Sequence, residues 1–378
     1  MDLSDFFYLA FFGGVTLYFG AVAIINYFTF KHYNRFSSDL KEEPTVDVLI
    51  PARNEEKNVE KCLETILNQN YENYRVYIID DNSEDKTWEL IQKFKDHPKL
   101  TAVQSKPLPK TWKGKQHALH QLTKLCHSEY TLCCDADMNF KPDFIRFSIS
   151  RMIRLKADMI SGWPQHSTKN KNTLFILPIV YLISFFLLPI ALIPKLKNRH
   201  LAFAIGQFIC FRRKALDAVG GYEAIKNEIN EDVFIARLLT EKKYSVYFID
   251  AKDHISGEWY ATPQAAIQGY GRVITNFFHN RTVILLAALI FIFMYFILFP
   301  ITVASAFVFH DWDRWILLLF YLLFLAEWNF NIYGRGFKFD WRFLLPVVTF
   351  IMTEYVFVYS LDRRIKGIGY QWKNRNVL

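Results

Sequence analysis

Five cysteines in 378 residues are few, and none stands at a spacing that holds zinc. Cys62, Cys126 and Cys210 are isolated, while Cys133 and Cys134 are neighbours whose side chains face opposite ways in a strand. A disulfide framework is therefore excluded, and reduced structural thiols of a cytosolic domain are expected. Internal repeats and low-complexity tracts are also missing. So is a basic N-terminal region: the early charges are Asp2 and Asp5 alone, so the apolar run behind them is too long and wrongly flanked for a cleavable signal.

What is present is apolar surface in blocks. Hydrophobic residues make up 52% and aromatics 17%, with 36 Phe, more than a soluble enzyme carries. Residues 6–30 form one run, uncharged until Lys31 and long enough to span a bilayer as a helix. Further runs cover 283–309, 315–330 and 343–361, the third being short and ending in Glu327, Asn329 and Asn331, which suits a re-entrant or packed helix. Lys31, Arg35 and Lys41 follow the first span, so the positive-inside rule places 31–282 in the cytoplasm. The organisation expected is an anchor and linker at 1–43, a globular unit at 44–282, and membrane helices with a basic tail at 283–378. A net charge of +8 then speaks for an anionic membrane surface or anionic substrate, and against nucleic acid.

The globular unit alternates strands and helices, which predicts an α/β fold with a mostly parallel sheet. Val46–Ile50 reads as a strand stopped by Pro51, and a helix from about Glu55 to Asn68 follows, with Val59, Leu63, Ile66 and Leu67 at helical spacing. A strand over Arg75–Ile79 precedes Asp80-Asp81-Asn82-Ser83, and a helix carries Trp88, Ile91 and Phe94. Another helix is expected from Gly114 to about Cys126, then a strand Tyr130–Cys134 that runs into Asp135-Ala136-Asp137. Two carboxylates at positions i and i+2 of an extended chain point the same way and can share one hard cation. They stand at a strand's C-terminal end, where open α/β sheets bind ligands. Glu231-Asp232 opens a later helix, and Gly206-Gln207 is expected at the end of an apolar strand that begins at Leu201.

Residues 174–194 carry no charge, yet a crossing there would put Asp137 and Asp232 on opposite sides of the membrane. Pro178, Pro189 and Pro194 suit a broken segment lying in the interface instead.

Pro51-Ala-Arg-Asn-Glu55, Asp80-Asp81-Asn-Ser-Glu-Asp85, Gly114-Lys115-x-x-Ala118-Leu119, Asp135-Ala-Asp137, Gly206-Gln207 and Glu231-Asp232 resemble, in this order, the motifs of family 2 glycosyltransferases. With the flanking apolar helices and the tail Gln371-Trp372-Lys373-x-Arg375, the chain looks like the membrane subgroup that glycosylates carotenoids, hopanoids and related lipids. The resemblance covers about residues 44–282 and implies a GT-A fold and inverting transfer from a nucleotide-sugar, expected to be a UDP-sugar. It further implies that Asp81 holds the base, with Asp80 beside it, and that Pro51, Arg53 and Glu55 line the base and ribose pocket. Asp137 would ligate Mg²⁺ or Mn²⁺, and Asp135 would meet the metal or sugar hydroxyls. Lys115, at a helix start, would meet phosphate. Gly206 and Gln207 would stand on the acceptor side, and Asp232, with Glu231, would deprotonate a membrane-lipid acceptor.

One departure matters. Processive members carry Gln-x-x-Arg-Trp, whereas this chain reads Gln268-Gly-Tyr-Gly-Arg272-Val273, with one extra residue and no tryptophan. That argues against polymer synthesis and for a single transfer, with Arg272 still able to reach the diphosphate. Trp163 and Trp259 are candidates for stacking on a sugar or anchoring at the membrane. An inactive domain in a membrane scaffold would have no reason to keep Asp81, Asp135, Asp137 and Asp232 together. A nucleotidyltransferase would want a Gly-rich phosphate loop after the first strand, which Pro51–Glu55 is not. The basic tail, with Arg363, Arg364, Lys366, Lys373 and Arg375, asks for the cytoplasm.

Overall fold

The computed structural model describes residues 6–7, 9–168, 170–178, 181, 187–277, 282–308, 315–334, 340–341, 346–373 and 375–377. Ten strands build the globular part. They are β1 (Val46–Ala52), β2 (Tyr74–Asp80), β3 (Leu100–Gln104), β4 (Tyr130–Cys134), β5 (Met138–Phe140), β6 (Met159–Trp163), β7 (Gln165–Ser167), β8 (Phe208–Arg212), β9 (Val246–Asp250) and β10 (Ile255–Glu258). The main sheet has the order β3-β2-β1-β4-β8-β6-β9, and β8 alone runs against its neighbours. A small sheet, β5-β10-β7, receives the chain as it leaves β4.

Strands β1 and β4 are apolar and buried along nearly their whole length, as a parallel sheet covered on both faces requires. Asp47 is the exception in β1. It is buried, and its Oδ2 accepts the backbone N–H of His127 and Ser128 at 2.9 and 2.8 Å. Pro51 does not stop β1, which runs on to Ala52. The pairing with β4 ends at Leu49–Cys133, so beyond that point Pro51 has no neighbour on that side to lack a hydrogen bond from. The following helix is shorter than expected, Val59–Ile66, with Glu55–Asn58 forming its entry turn. Helices Thr87–Gln92 and Gly114–Thr123 likewise end before Phe94 and Cys126. All five cysteines are buried and none is bonded to another.

Sheet order reverses between β1 and β4: β2 and β3 follow β1 on one side, and β4 pairs on its other side. The C-terminal ends of these two strands therefore open a crevice, the place where α/β sheets take nucleotides. Pro51-Ala52-Arg53 and Asp135-Ala136-Asp137 both emerge there.

Among the described residues, three helices are long and apolar enough to cross a membrane: Leu9–Asn34, Leu286–Ser305 and Trp315–Gly334. The first and third pack through small residues, since a Cβ on Gly13 would touch the Phe320 ring at 3.0 Å and one on Gly20 would overlap Glu327. The run 315–330, expected to be the weakest, thus belongs to a full-length helix. Its polar residues are answered inside it, with Asn329 and Asn331 Nδ2 donating to the carbonyls of Leu325 and Glu327 at 2.7 and 2.9 Å. Of the run 343–361, residues 343–345 lie outside the described residues. Its helix, Pro346–Ile365, carries Glu354, Asp362, Arg363 and Arg364 and is not among the helices apolar enough to cross. It packs both on helix Pro263–Phe277, where Ser360 Oγ donates to the Gly271 carbonyl at 3.0 Å, and on the apolar helices, where Phe350 stacks on Phe296. A hairpin of β11 (Tyr370–Trp372) and β12 (Arg375–Val377) ends the chain.

Of the segment expected at the interface, residues 179, 180 and 182–186 lie outside the described residues. Its two flanks form the short helices Lys171–Phe175 and Leu192–Leu196. The N-terminal span holds the second flank: buried Asn26 donates to the Leu188 carbonyl at 2.9 Å and accepts from the Ile190 N–H at 2.8 Å.

Candidate active site

Four cationic side chains, Lys115, Arg53, Lys373 and Arg375, organise the carboxylates at the crevice. Lys115, in the first turn of helix Gly114–Thr123, places Nζ 2.7 Å from Asp135 Oδ1 and 2.8 Å from Glu231 Oε1. Burial works against its charge, but the two carboxylates outweigh it and hold the ammonium pKa well above its ordinary value. Gly206 closes over this group. A Cβ there would lie 2.7 Å from Lys115 Nζ, 2.9 Å from Glu231 Oε1 and 3.6 Å from Asp232 Oδ2. Residues 201–207 are irregular rather than the expected strand, and β8 begins after them at Phe208. An extended strand would have kept Gly206 in the sheet, whereas the turn brings its backbone onto Lys115 and Glu231.

Asp135-Ala136-Asp137 is also a turn, with the Met138 N–H bonded to the Asp135 carbonyl at 3.3 Å, so strand alternation is not what relates its two carboxylates. The turn carries the chain from β4 into β5. Burial, then the charges of Asp135 and Glu55, push the Asp137 carboxyl up to about 7, with Lys373 and Lys115 pulling it down. Its Oδ1 is buried with no hydrogen-bond partner. Among the described residues no cluster of three or more His, Cys, Asp or Glu side chains forms a ready-made metal cage. A buried, unpartnered carboxylate oxygen beside a second carboxylate fits Mg²⁺ or Mn²⁺ of the kind held by one or two carboxylates and substrate phosphates. Asp232 opens helix Glu231–Glu241; burial and the neighbouring Glu231 raise its carboxyl to about 7 against the pull of Lys115.

The β1 and β2 loops are tied by Arg53. This buried guanidinium donates from Nη1 to the carbonyls of Asp81 (2.8 Å) and Asn82, and from Nη2 to Glu84 Oε1 at 2.9 Å. Asn54 and Asn82 take positive φ of 50° and 55° there, a conformation asparagine tolerates. Asp80 and Asp81 part company at the end of β2. Asp80 Oδ2 accepts from the Ser83 N–H at 3.4 Å, and burial raises its carboxyl, while Asp81 faces the C-terminal hairpin. Arg375 donates to both Asp81 carboxylate oxygens and, at 3.0 Å, to its carbonyl. Lys373 pairs with Glu55, and its carbonyl accepts from Arg53 Nε at 3.2 Å. His117, on the helix of Lys115, feels both Asp81 and Arg375 and lines a shallow cavity of about 480 Å³ with Trp112 and His120.

Gln207 Oε1 accepts from His166 Nε2 at 2.8 Å, and the other ring nitrogen of His166 meets the Tyr181 hydroxyl at 2.7 Å. Trp259 lies against the His166 ring, with centroids 3.7 Å apart. The partner required by a buried glutamine is thus a histidine that the sequence reading passed over. Trp163 is fully buried among Tyr181, Phe203 and Phe248, so it neither anchors the protein nor stacks on a ligand. Arg272 lies on helix Pro263–Phe277, where the Tyr260 phenol feels both its charge and that of Asp137. The two glycines beside it have separate tasks. Gly269 gives way to the Tyr260 ring, and Gly271 to Tyr370 and Tyr359.

Residues 47–220 match the model described as Glycosyl transferase family 2. The chain carries a domain of that family. Poly-beta-1,6-N-acetyl-D-glucosamine synthase of Staphylococcus aureus is 26% identical over 270 residues, which are 67% of this chain and 62% of that protein's length. Chondroitin synthase of Escherichia coli is 28% identical over 171 residues, covering 40% of this chain and 24% of its own. Among solved structures, a mannosyltransferase from Pyrobaculum calidifontis in complex with GDP-Man and Mn²⁺ superposes with a TM-score of 0.53 at 17% identity, over 95% of this chain and 99% of that one. The family 2 domain accordingly has the GT-A fold expected for it, with its mostly parallel sheet and flanking apolar helices.

Proposed function

We propose that this protein transfers a single sugar, with inversion, from a nucleotide-sugar to the hydroxyl or carboxyl group of a membrane lipid, such as a carotenoid, hopanoid or other isoprenoid. The observation that carries this reading is the convergence of three distant acidic segments on one crevice. Lys115 joins Asp135 to Glu231, and Gly206 stands against Lys115, Glu231 and Asp232. The GT-A unit is taken as 44–282, with the anchor before it and the membrane helices after it; its face toward the membrane is read as cytoplasmic from Lys31, Arg35 and Lys41.

In this reading Asp81 takes the base, Glu55 the ribose, and Pro51 the wall between them, while Arg53 holds the loops that shape the pocket. Asp137, with Asp135, holds Mg²⁺ or Mn²⁺, which when bound neutralises charge on the leaving diphosphate. Lys115 sits close enough to exchange a carboxylate for a phosphate oxygen, and Arg272 stands on the same side as Tyr260. With a hydroxyl acceptor, Asp232 removes its proton as the acceptor oxygen attacks the anomeric carbon and the sugar–phosphate bond breaks, releasing the nucleoside diphosphate. A carboxyl acceptor, already ionised, attacks without that proton transfer. The raised pKa of Asp232 makes it a stronger base than an exposed aspartate once ionised. Gln207, held by His166, borders the acceptor side. Two supports favour a lipid acceptor: the apolar helices beside the domain, and the departure from Gln-x-x-Arg-Trp at Gln268–Arg272.

The test is incubation of the purified protein and its native lipid extract with a panel of nucleotide-sugars, followed by mass spectrometry. A lipid gaining the mass of one sugar residue is expected. Release of a polymer, or no transfer from any donor, would overturn the proposal.

A further inference from the structure

We infer that the C-terminal hairpin is part of the nucleotide-sugar site, with Lys373 and Arg375 as donor-binding residues; this rests on the function proposed above. The two strands of the hairpin flank a turn at Lys373, which adopts a positive φ of 46° and so points its backbone into the β1 and β2 loops. There its carbonyl accepts from Arg53 Nε at 3.2 Å and Asn54 Nδ2 at 3.5 Å. Lys373 and Arg375 then reach Glu55 and Asp81, two buried carboxylates from segments some 300 residues away in sequence. Gly114 leaves the space: a Cβ at that position would lie 2.5 Å from Arg375 Nη1 and 2.8 Å from Asp81 Oδ2.

The hairpin is fixed from behind. Tyr370 is buried against Gly271, and the Arg363 guanidinium lies 4.8 Å from its ring centroid. Its two cations are therefore held at the crevice by packing that does not involve a ligand. Lys373, paired with Glu55, stands on the side of the crevice read as facing the ribose. Arg375 offers a planar fork beside Asp81. A carboxylate that accepts a base N–H and a guanidinium that donates to the flanking carbonyl oxygen together match the edge of a pyrimidine such as uracil. Lys373 is a point charge suited to phosphate.

The experiment is titration calorimetry of the full-length protein in detergent with uridine, UMP and UDP plus Mn²⁺, comparing wild type with Lys373→Gln and Arg375→Gln. Wild type should bind UDP. Lys373→Gln should weaken UDP at least tenfold while leaving uridine within about threefold, and Arg375→Gln should weaken all three ligands alike. Melting temperatures in the absence of nucleotide report whether the hairpin stays docked, and Arg375→Lys should recover part of the loss. Unchanged or tighter UDP binding in both variants would overturn the inference, the tighter case meaning that the hairpin plugs the site. Failure of wild type to bind UDP, GDP or any nucleotide-sugar would instead sink the proposed function itself.

Discussion

Gly206 has no positive φ to justify it, so its requirement is space, and that makes it a sharp test of the site. In Gly206→Ala the new methyl would lie 2.7 Å from Lys115 Nζ and 2.9 Å from Glu231 Oε1, well inside ordinary contact. A lysine end is normally able to swing away. Here it is pinned by Asp135 at 2.7 Å and Glu231 at 2.8 Å, and retreat means lengthening both ion pairs. Overpacking of this kind costs about 1–3 kcal/mol, and a charge-assisted hydrogen bond contributes a similar amount, so a loss of about 2 kcal/mol is expected. That corresponds to a melting temperature lower by roughly 4–8 °C in a domain of this size. The decisive assay is a double-mutant cycle with Lys115→Ala. Removing the lysine makes room for the methyl, so the double variant should be more stable than the sum of the single losses by about 1 kcal/mol or more. Additive losses, or a Gly206→Ala protein that melts and turns over as wild type, would refute the claim that Gly206 closes over a pinned lysine.

Asp232→Asn should keep UDP-sugar affinity within a few-fold and lower kcat by roughly 10²–10⁴, the range for a lost general base. The wild-type rate should rise with pH through about 7, because Asp232 accepts a proton only when ionised; a flat profile between pH 6 and 8 would contradict the assignment. Asp137→Asn should remove nearly all turnover and the enhancement of UDP binding by Mn²⁺, and full activity in excess chelator would rule out the metal role. Asn26→Leu strands the Leu188 carbonyl and the Ile190 N–H away from water and should lower stability by about 1–3 kcal/mol, measured as a fall in melting temperature. Cysteines at exposed Lys171 and Lys195, in a background without native cysteine, should be labelled from one side of the membrane by an impermeant reagent, and labelling from opposite sides would mean a crossing between them.

Asp80-Asp81 and Asp135-Ala136-Asp137 were legible because each follows a local rule, an apolar run and then carboxylates at its C-terminal end, while Glu231-Asp232 was marked by opening a helix. β1, β2 and β4 followed from the alternation of such runs, shifted by a residue or two at most, while β3, β6 and β9 of the same sheet were not among the strands expected. What the sequence could not show are contacts made across the fold. Nothing local marks Lys115 as the link between Asp135 and Glu231, or His166 as the partner of Gln207. The irregular path of 201–207 was hidden for the same reason. Its apolar residues, Ala202 and Ala204 among them, are buried as strand residues would be, but the close approach of Gly206 to Lys115 sets the backbone. Trp163 misled because exposure cannot be read from residue type: its ring fills the space between β6 and β9 with Phe248. The hairpin was visible as a basic tail carrying Gln371-Trp372-Lys373-x-Arg375, with nothing to mark Asp81 and Glu55 as its partners.

That tail bears on how the chain meets the membrane. Three C-terminal crossings would carry it to the side opposite the catalytic domain, yet Arg375 and Lys373 pair with Asp81 and Glu55 in the crevice. Leu286–Ser305 and Trp315–Gly334 are long and apolar enough to cross, whereas Pro346–Ile365 places Thr349, Thr353 and Ser360 against the protein and bonds to Gly271 of the helix that leaves the family 2 domain. Two crossings would return the chain to the side it left, and helix Pro346–Ile365, bonded to Gly271, leads into the hairpin that meets Asp81 and Glu55. The N-terminal span enters the same assembly, with Thr16 Oγ1 2.5 Å from the Tyr295 hydroxyl and Asn26 holding residues 188–190. The apolar helices are therefore packed into the rest of the chain: Asn26 holds residues 188–190, and Phe296 stacks on Phe350 of the helix that leads to the hairpin. A truncation at residue 282 would remove Lys373 and Arg375 from the crevice, and would be expected to weaken donor binding as well as membrane attachment.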